Sequence, residues 1–329
     1  MGLSRASLER RAAAALERGR EGVVTTALGA LWGQVAGRSS GPALTSRRAL
    51  VAVTGATLGG SWKTPVSVAL ASALAARHLR VGLLGHGHRA GGRGRVIGVT
   101  DRSPVEQVGD EAWETARLVS PGVRVAIGPR AQALRWLEHA SDVVVADGLR
   151  GASGERSAVV LAVDARAPWG SGRCPPAGDL RAPVERLLGR ASQVVAVVDE
   201  ADEGPVPGGW WRAEARLALP SGVVGERVAV VTSVARPERF VEALVRRGVR
   251  VTAQVALRDH GGAWAGGEAE RALRGQRFDR VVCTGKCAAW LPGRLAGRPV
   301  ASVGLSVTLP ETLIDQVAAL ALSSGEANC

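Results

Sequence analysis

The sequence contains no tyrosine, two phenylalanines and one methionine, and aromatic residues make up 3% of it. Proteins that grip single-stranded nucleic acid stack bases on aromatic side chains, and this chain has too few to build such platforms. Helix-turn-helix and zinc-finger spacings are missing as well. Nucleic acid is therefore not expected as a partner, although the net charge is +12. No apolar run approaches the roughly 18 residues of a transmembrane helix, and the N-terminus lacks a compact apolar core with a cleavage site. The expected location is the cytoplasm or the cytoplasmic face of a membrane. The four cysteines, Cys174, Cys283, Cys287 and Cys329, have no framework spacing and are expected as reduced thiols. Cys283 and Cys287 have no second pair nearby to complete a metal site, so they read as small buried hydrophobes.

Lysine is the scarcest charged residue. Of 42 Lys plus Arg residues, two are lysine, Lys63 and Lys286. Where nearly every basic position is arginine, a retained lysine marks a place that needs a compact ammonium and not a planar guanidinium.

What is present describes a soluble globular chain. Its 329 residues allow about two domains and a well-buried core. Hydrophobic residues make up 46% and charged residues 22%, with 43 glycines for strand-to-helix turns. The positive balance suits an anionic membrane or a phosphorylated substrate.

The stretch from Val51 to Pro65, VAVTGATLGGSWKTP, places a β-branched run before a glycine-rich turn that ends in Lys63 and Thr64. That order of strand, tight loop and helix start is what a phosphate-binding P-loop requires. Thr57, Leu58, Gly59, Gly60, Ser61, Trp62, Lys63 and Thr64 would form the cradle. Lys63 would neutralise β- and γ-phosphate oxygens, and the Thr64 hydroxyl would ligate Mg²⁺. Measured against G-x-x-x-x-G-K-[ST], Thr57 stands at the first glycine and Trp62 at the second.

Strand and helix signals alternate on both sides of this loop. Val81–Leu84, Val123–Ile127, Asp142–Val145, Val159–Val163 and Val194–Val198 read as strands, and Pro65–His78 and Arg130–His139 as helices. Asp147 follows the apolar strand that ends near Val145, which is the Walker-B arrangement for a second Mg²⁺ contact. Ligands of doubly wound sheets collect at the carboxyl ends of strands, where the P-loop and Asp147 would meet. The loop from Trp169 to Pro183 is too long and too rich in proline and glycine for a plain connector, and a functional role is expected. Residues 200–209 read as a hinge, and the alternation then resumes through Val228–Thr232, Pro237–Arg247, Val251–Leu257, Arg280–Thr284, Val300–Leu305 and Pro310–Leu322.

The expected fold is α/β, a P-loop NTPase-like doubly wound sheet with a second, smaller α/β domain and an N-terminal amphipathic helix. The expected boundaries are 1–45 for the basic N-terminal segment, 46–205 for the nucleotide-binding domain and 206–329 for the smaller domain. Val24, Ala27, Leu28, Leu31, Trp32 and Val35 form one apolar stripe beside arginines. Such a stripe either lies in a membrane interface or packs on its own domain.

The ordered set of motifs resembles the tetraacyldisaccharide 4'-kinase family, the lipid A 4'-kinases of Gram-negative envelopes, over nearly the whole chain. The family's GGTGKTP corresponds to Gly59–Pro65, and its GDE is intact as Gly109, Asp110 and Glu111. Its DDGLQH stands as Ala146, Asp147, Gly148, Leu149, Arg150 and Gly151. LPAGPLREP corresponds to residues 175–183, PERF to Pro237–Phe240, DH to Asp259 and His260, and TEKD to Thr284, Gly285, Lys286 and Cys287. The resemblance implies phosphoryl transfer from ATP, with Mg²⁺, to the 4'-hydroxyl of a lipid A disaccharide 1-phosphate precursor at the inner membrane's cytoplasmic face. It further implies Asp110 as base with His260 orienting it, Arg130 and Arg181 on phosphates, and the N-terminal stripe as a contact with an anionic membrane surface. Trp62, Ala146, Arg150, Ala182, Gly285 and Cys287 depart from the family's residues. The alternative reading these departures raise is a catalytically impaired member that binds lipid or nucleotide at the membrane surface.

Overall fold

The computed structural model describes residues 43–322 apart from 88–89, 91–93, 201–203, 235 and 258–261, together with Leu16, Gly19 and Gly29. The basic amphipathic segment expected over 1–45 and the expected orienting residue His260 lie outside the described residues, save for the few named.

The elements follow in chain order. β1 is Leu44–Thr45, β2 Ala49–Gly55, α1 Lys63–Ala76, β3 Val81–Leu84, β4 Ile97–Val99, α2 Val105–Val108, α3 Asp110–Leu118, β5 Arg124–Ile127, α4 Arg130–Glu138 and β6 Val143–Asp147. After these come β7 Ala152–Ser153, β8 Ser157–Asp164, α5 Val184–Arg190, β9 Gln193–Asp199 and β10 Trp211–Ala218. The last stretch holds β11 Arg227–Thr232, α6 Pro237–Arg246, β12 Arg250–Ala256, α7 Ala265–Leu273, β13 Arg280–Thr284, α8 Gly285–Ala288, β14 Arg294–Leu295, β15 Arg298–Thr308 and α9 Glu311–Leu322.

β2 has the sequence ALVAVTG, and all seven of its residues are buried. A run apolar on both sides belongs at the centre of a parallel sheet covered on both faces. It sits there, parallel to β6 on one side and to β8 on the other. The main sheet has the order β12-β11-β13-β15-β10-β9-β8-β2-β6-β3-β5-β4, with β14 paired to β15. It is parallel throughout except at β4, which runs against β5, at β14, which runs against β15, and between β10 and β15. The expected doubly wound α/β class is borne out.

β15 carries eleven residues. It pairs with β13 in parallel and with β10 antiparallel, so the sheet passes from the first half of the chain to the second without a break. The last helix then returns to the first half. Leu313, Ile314 and Val317 of α9 join one buried cluster with Val66, Leu70 and Leu74 of α1. Those three α1 residues recur every four positions, which presents one apolar stripe to the sheet. The opposite face of the first half is closed by Leu134 and Leu137 of α4 against Leu50 and Val144.

Among the described residues no helix is long and apolar enough to cross a membrane.

Candidate active site at the phosphate loop

The loop between β2 and α1 folds back over the end of its own strand. A Cβ on Gly55 would overlap Ser61 and Lys63, so a glycine is required there for the loop to return this closely. The consensus puts its first glycine at position 57, and the sequence-level comparison therefore overlooked Gly55. Thr57, in the consensus glycine position, donates its hydroxyl to the Gly59 carbonyl at 2.7 Å and stiffens the turn. Gly60 and Trp62 both have positive φ, 63° and 58°. Trp62 thus keeps the left-handed backbone that a glycine would supply, and its indole packs on the core cluster of α1.

The loop from 169 to 183 is the brace for this turn. Leu58 N–H donates to the Asp179 carbonyl at 2.9 Å, and Arg181 N–H to the Ala56 carbonyl at 2.8 Å. The Arg181 guanidinium donates through Nε to the Thr57 carbonyl at 2.6 Å and through Nη2 to that of Leu58 at 3.3 Å. Arg181 therefore binds the rim of the phosphate loop through main-chain carbonyls.

Asp147 is the last residue of β6 and is buried. Thr64 Oγ1 donates to its Oδ2 at 2.6 Å, and Ser67 Oγ lies 3.3 Å from its Oδ1. The first turn of α1 and the end of the neighbouring strand thus meet at one carboxylate. Arg130, expected on phosphate, donates Nη1 to the Asp147 carbonyl at 3.0 Å, and its Nη2 is 3.1 Å from His86 Nδ1. His86 covers Gly148 so closely that a Cβ there would overlap the ring. His86 is not among the candidate residues named from the sequence. Burial lowers the His86 pKa, and Arg130 lowers it further.

Lys63 Nζ is 3.3 Å from Ser61 Oγ. Burial brings its pKa down to about 8, with Arg181 adding to the fall while Asp147 and Glu111 oppose it. A cation held in this state gains most from an arriving polyanion. Asp110 opens α3, is buried, and its Oδ1 accepts the N–H of Glu111 at 2.9 Å. Glu111 in turn meets Lys286 Nζ at 3.3 Å.

A cavity of about 400 Å³ lies over this loop, lined by residues 58–65 together with Glu111, Arg236, Arg239 and Lys286. A second, of about 340 Å³, adjoins it and shares Trp62, Thr64, Glu111 and Lys286. Its other walls set apolar Val197, Ala215, Leu217, Phe240 and Val303 beside the charged Glu114, Arg166, Asp199 and Arg246. The indole lines both spaces and closes neither. One polyanionic tail with an attached apolar ring system fits this pair of spaces.

A family model described as tetraacyldisaccharide-1-P 4'-kinase matches residues 28–321. The chain belongs to that family. It is 31% identical over 294 residues to the tetraacyldisaccharide 4'-kinase of Methylorubrum extorquens (strain PA1), covering 84% of this chain and 86% of that protein. Identity to the enzyme of Methylorubrum populi is 33% over 258 residues, 73% and 76% of the two chains. Against the Legionella pneumophila (strain Corby) enzyme it is 29% over 209 residues, and there the match spans 64% of the relative's length. The solved structure described as "apo" form LpxK from Aquifex aeolicus in complex with ATP shares the fold, with a TM-score of 0.63 at 18% identity over 90% of this chain and 97% of that one. The resemblance drawn from the GGTGKTP-, GDE- and DDGLQH-like segments is borne out at the level of the family.

Proposed function

We propose that this chain transfers the γ-phosphoryl group of ATP to the 4'-hydroxyl of the lipid A tetraacyldisaccharide 1-phosphate precursor. The observation that carries this reading is the meeting of Thr64 and Asp147 at 2.6 Å, at the start of the helix that follows the phosphate loop. The kinase names of the relatives agree with it.

Each residue has a distinct part. The loop N–H groups and Lys63 take the phosphate oxygens, in the larger cavity, and the neighbouring space takes the nucleoside. Thr64 and Asp147 offer a hydroxyl and a carboxylate, the hard oxygen donors that Mg²⁺ prefers. Among the described residues no group of three His, Cys, Asp or Glu could hold a metal on its own. That fits an ion that takes few protein ligands and completes its shell with substrate phosphates and water. Bound there, Mg²⁺ would neutralise charge on the β- and γ-phosphates. Arg181 and Arg130 stiffen the loop and Asp147 from behind while adding positive potential. The Asp110 carboxylate would accept the proton of the attacking hydroxyl, with His260 orienting it. An acylated acceptor has to be met at a surface, so the apolar stripe of residues 24–35, with the arginines that precede it, would rest on the anionic cytoplasmic face of the inner membrane.

The test is direct. Incubation with labelled ATP, Mg²⁺ and the disaccharide 1-phosphate should give a bisphosphorylated glycolipid, and Lys63→Ala and Asp110→Ala should each abolish it. A wild-type protein that binds ATP and the acceptor without forming that product would favour the non-catalytic reading.

A further inference from the structure

The sequence's two lysines line the same cavity, Lys63 from the phosphate loop and Lys286 from the second half of the chain. Lys286 has little local support. It sits on α8, a helix of four residues whose N-cap, Thr284, makes no side-chain capping bond. Part of its support comes from α3. Glu111 meets the Lys286 ammonium at 3.3 Å. Glu114, one turn further along, turns its carboxylate to the start of α8. That carboxylate occupies the space beside Gly285 so fully that a Cβ there would overlap Oε1. Residues three apart on a helix share a face. Glu111 therefore holds the head of the lysine, and Glu114 packs against the turn that carries it.

We propose that Glu114 is a positioning residue that holds Lys286 at the phosphate cavity, its carboxylate standing where position 285 has no side chain. This rests on the nucleotide reading of the cavity above. The helix that begins at Asp110 thereby carries two further carboxylates that fix the second lysine, which lines the same cavity. Lys286 would meet the outer phosphates opposite Lys63, and its reach is set by α3.

The experiment compares ATP affinity, by calorimetry, with amide exchange of residues 285–290 in the nucleotide-free protein. Loss of one hydrogen bond to a charged group predicts about a tenfold drop in affinity for Glu114→Ala and for Lys286→Ala. The double variant should fall no further than the weaker single one, because both remove the same contact with phosphate. Gly285→Ala, which displaces the carboxylate without removing it, should match Glu114→Ala. Adding Gly285→Glu to Glu114→Ala should restore affinity to within about threefold of wild type. Glu114→Ala and Gly285→Ala should also speed exchange over 285–290 without ATP present. Wild-type affinity in both variants, additive losses in the double variant, or unchanged exchange would overturn the proposal. If the wild type binds no ATP, the nucleotide reading falls, and the exchange measurement still decides whether Glu114 holds Lys286.

Discussion

Trp62 is the residue whose consequences are least obvious from its type. A non-glycine residue at φ 58° carries a backbone cost of about 1–2 kcal/mol. Against that, the half-buried indole is packed on the α1 core, and truncating a fully buried tryptophan costs about 3–5 kcal/mol, so this one costs somewhat less. Packing wins. Trp62→Gly should lower stability by about 1 kcal/mol, measured by urea unfolding, and should leave ATP affinity no higher than wild type. A tenfold gain in affinity would mean that the indole obstructs the cavity. Lys63 gives a second prediction at the same scale. Its pKa, brought down to about 8 by burial and Arg181, should rise again when phosphate oxygens surround it. ATP binding near pH 8 should therefore take up protons, seen as a dependence of the calorimetric enthalpy on the buffer's ionisation heat. Lys63→Met should remove that dependence, and a wild-type enthalpy independent of buffer would refute it.

At the scale of single elements, helix α3 gathers the charge chemistry of the site. Burial raises the Glu114 pKa from 4.5 to about 7, with Lys286 opposing the rise and Asp110 and Glu111 reinforcing it. A carboxyl raised in the folded state adds stability below its unfolded pKa, and that contribution is lost as pH climbs through the folded value. The melting temperature of the wild type relative to Glu114→Gln should therefore fall between pH 5 and pH 8. A constant difference would show that the carboxyl titrates normally. The spacing of Asp110, Glu111 and Glu114 was open to inspection from the start, but the partner Lys286 lies on a distant segment that the fold alone brings near. Strands buried on both faces, such as β2, β6 and β8, are legible because their apolar runs are continuous. β10, with the sequence WRAEARLA, is half-buried and interleaves charge, so it carries no such signal. α7 has two adjacent glycines in its first turn, which weaken the helical signal of the alanines, glutamates, arginine and leucine that follow. The phosphate loop was recognisable from Lys63 and Thr64, whereas Gly55 could be found only from the path of the returning chain.

For the whole molecule, the two halves are joined by a continuous sheet and by several ion pairs, of which the most buried among the described residues lies at the phosphate loop. Arg236, the residue before α6, meets Asp179 at 2.7 Å, with side-chain exposures of 7% and 8%. Asp179 also accepts the N–H and the hydroxyl of Ser171, both at 2.9 Å, while its carbonyl receives the N–H of Leu58. The arginine packs over Gly60, where an added Cβ would lie 3.0 Å from its Cδ. The second half is therefore fastened to the loop that braces the phosphate turn and lies against the turn itself. Removing one partner leaves a charge buried without its counter-ion, which costs about 3–5 kcal/mol, whereas replacing both with apolar groups of similar volume is often close to neutral. Asp179→Leu and Arg236→Met should each lower the urea midpoint strongly, and the double variant should recover much of the loss. ATP affinity should behave differently. It should stay reduced in the double variant, because the brace under Leu58 and the cover over Gly60 are both altered even when stability returns. If the two single losses simply add, the pair is not a coupled fastening. If affinity recovers together with stability, the second half holds the phosphate turn by packing alone.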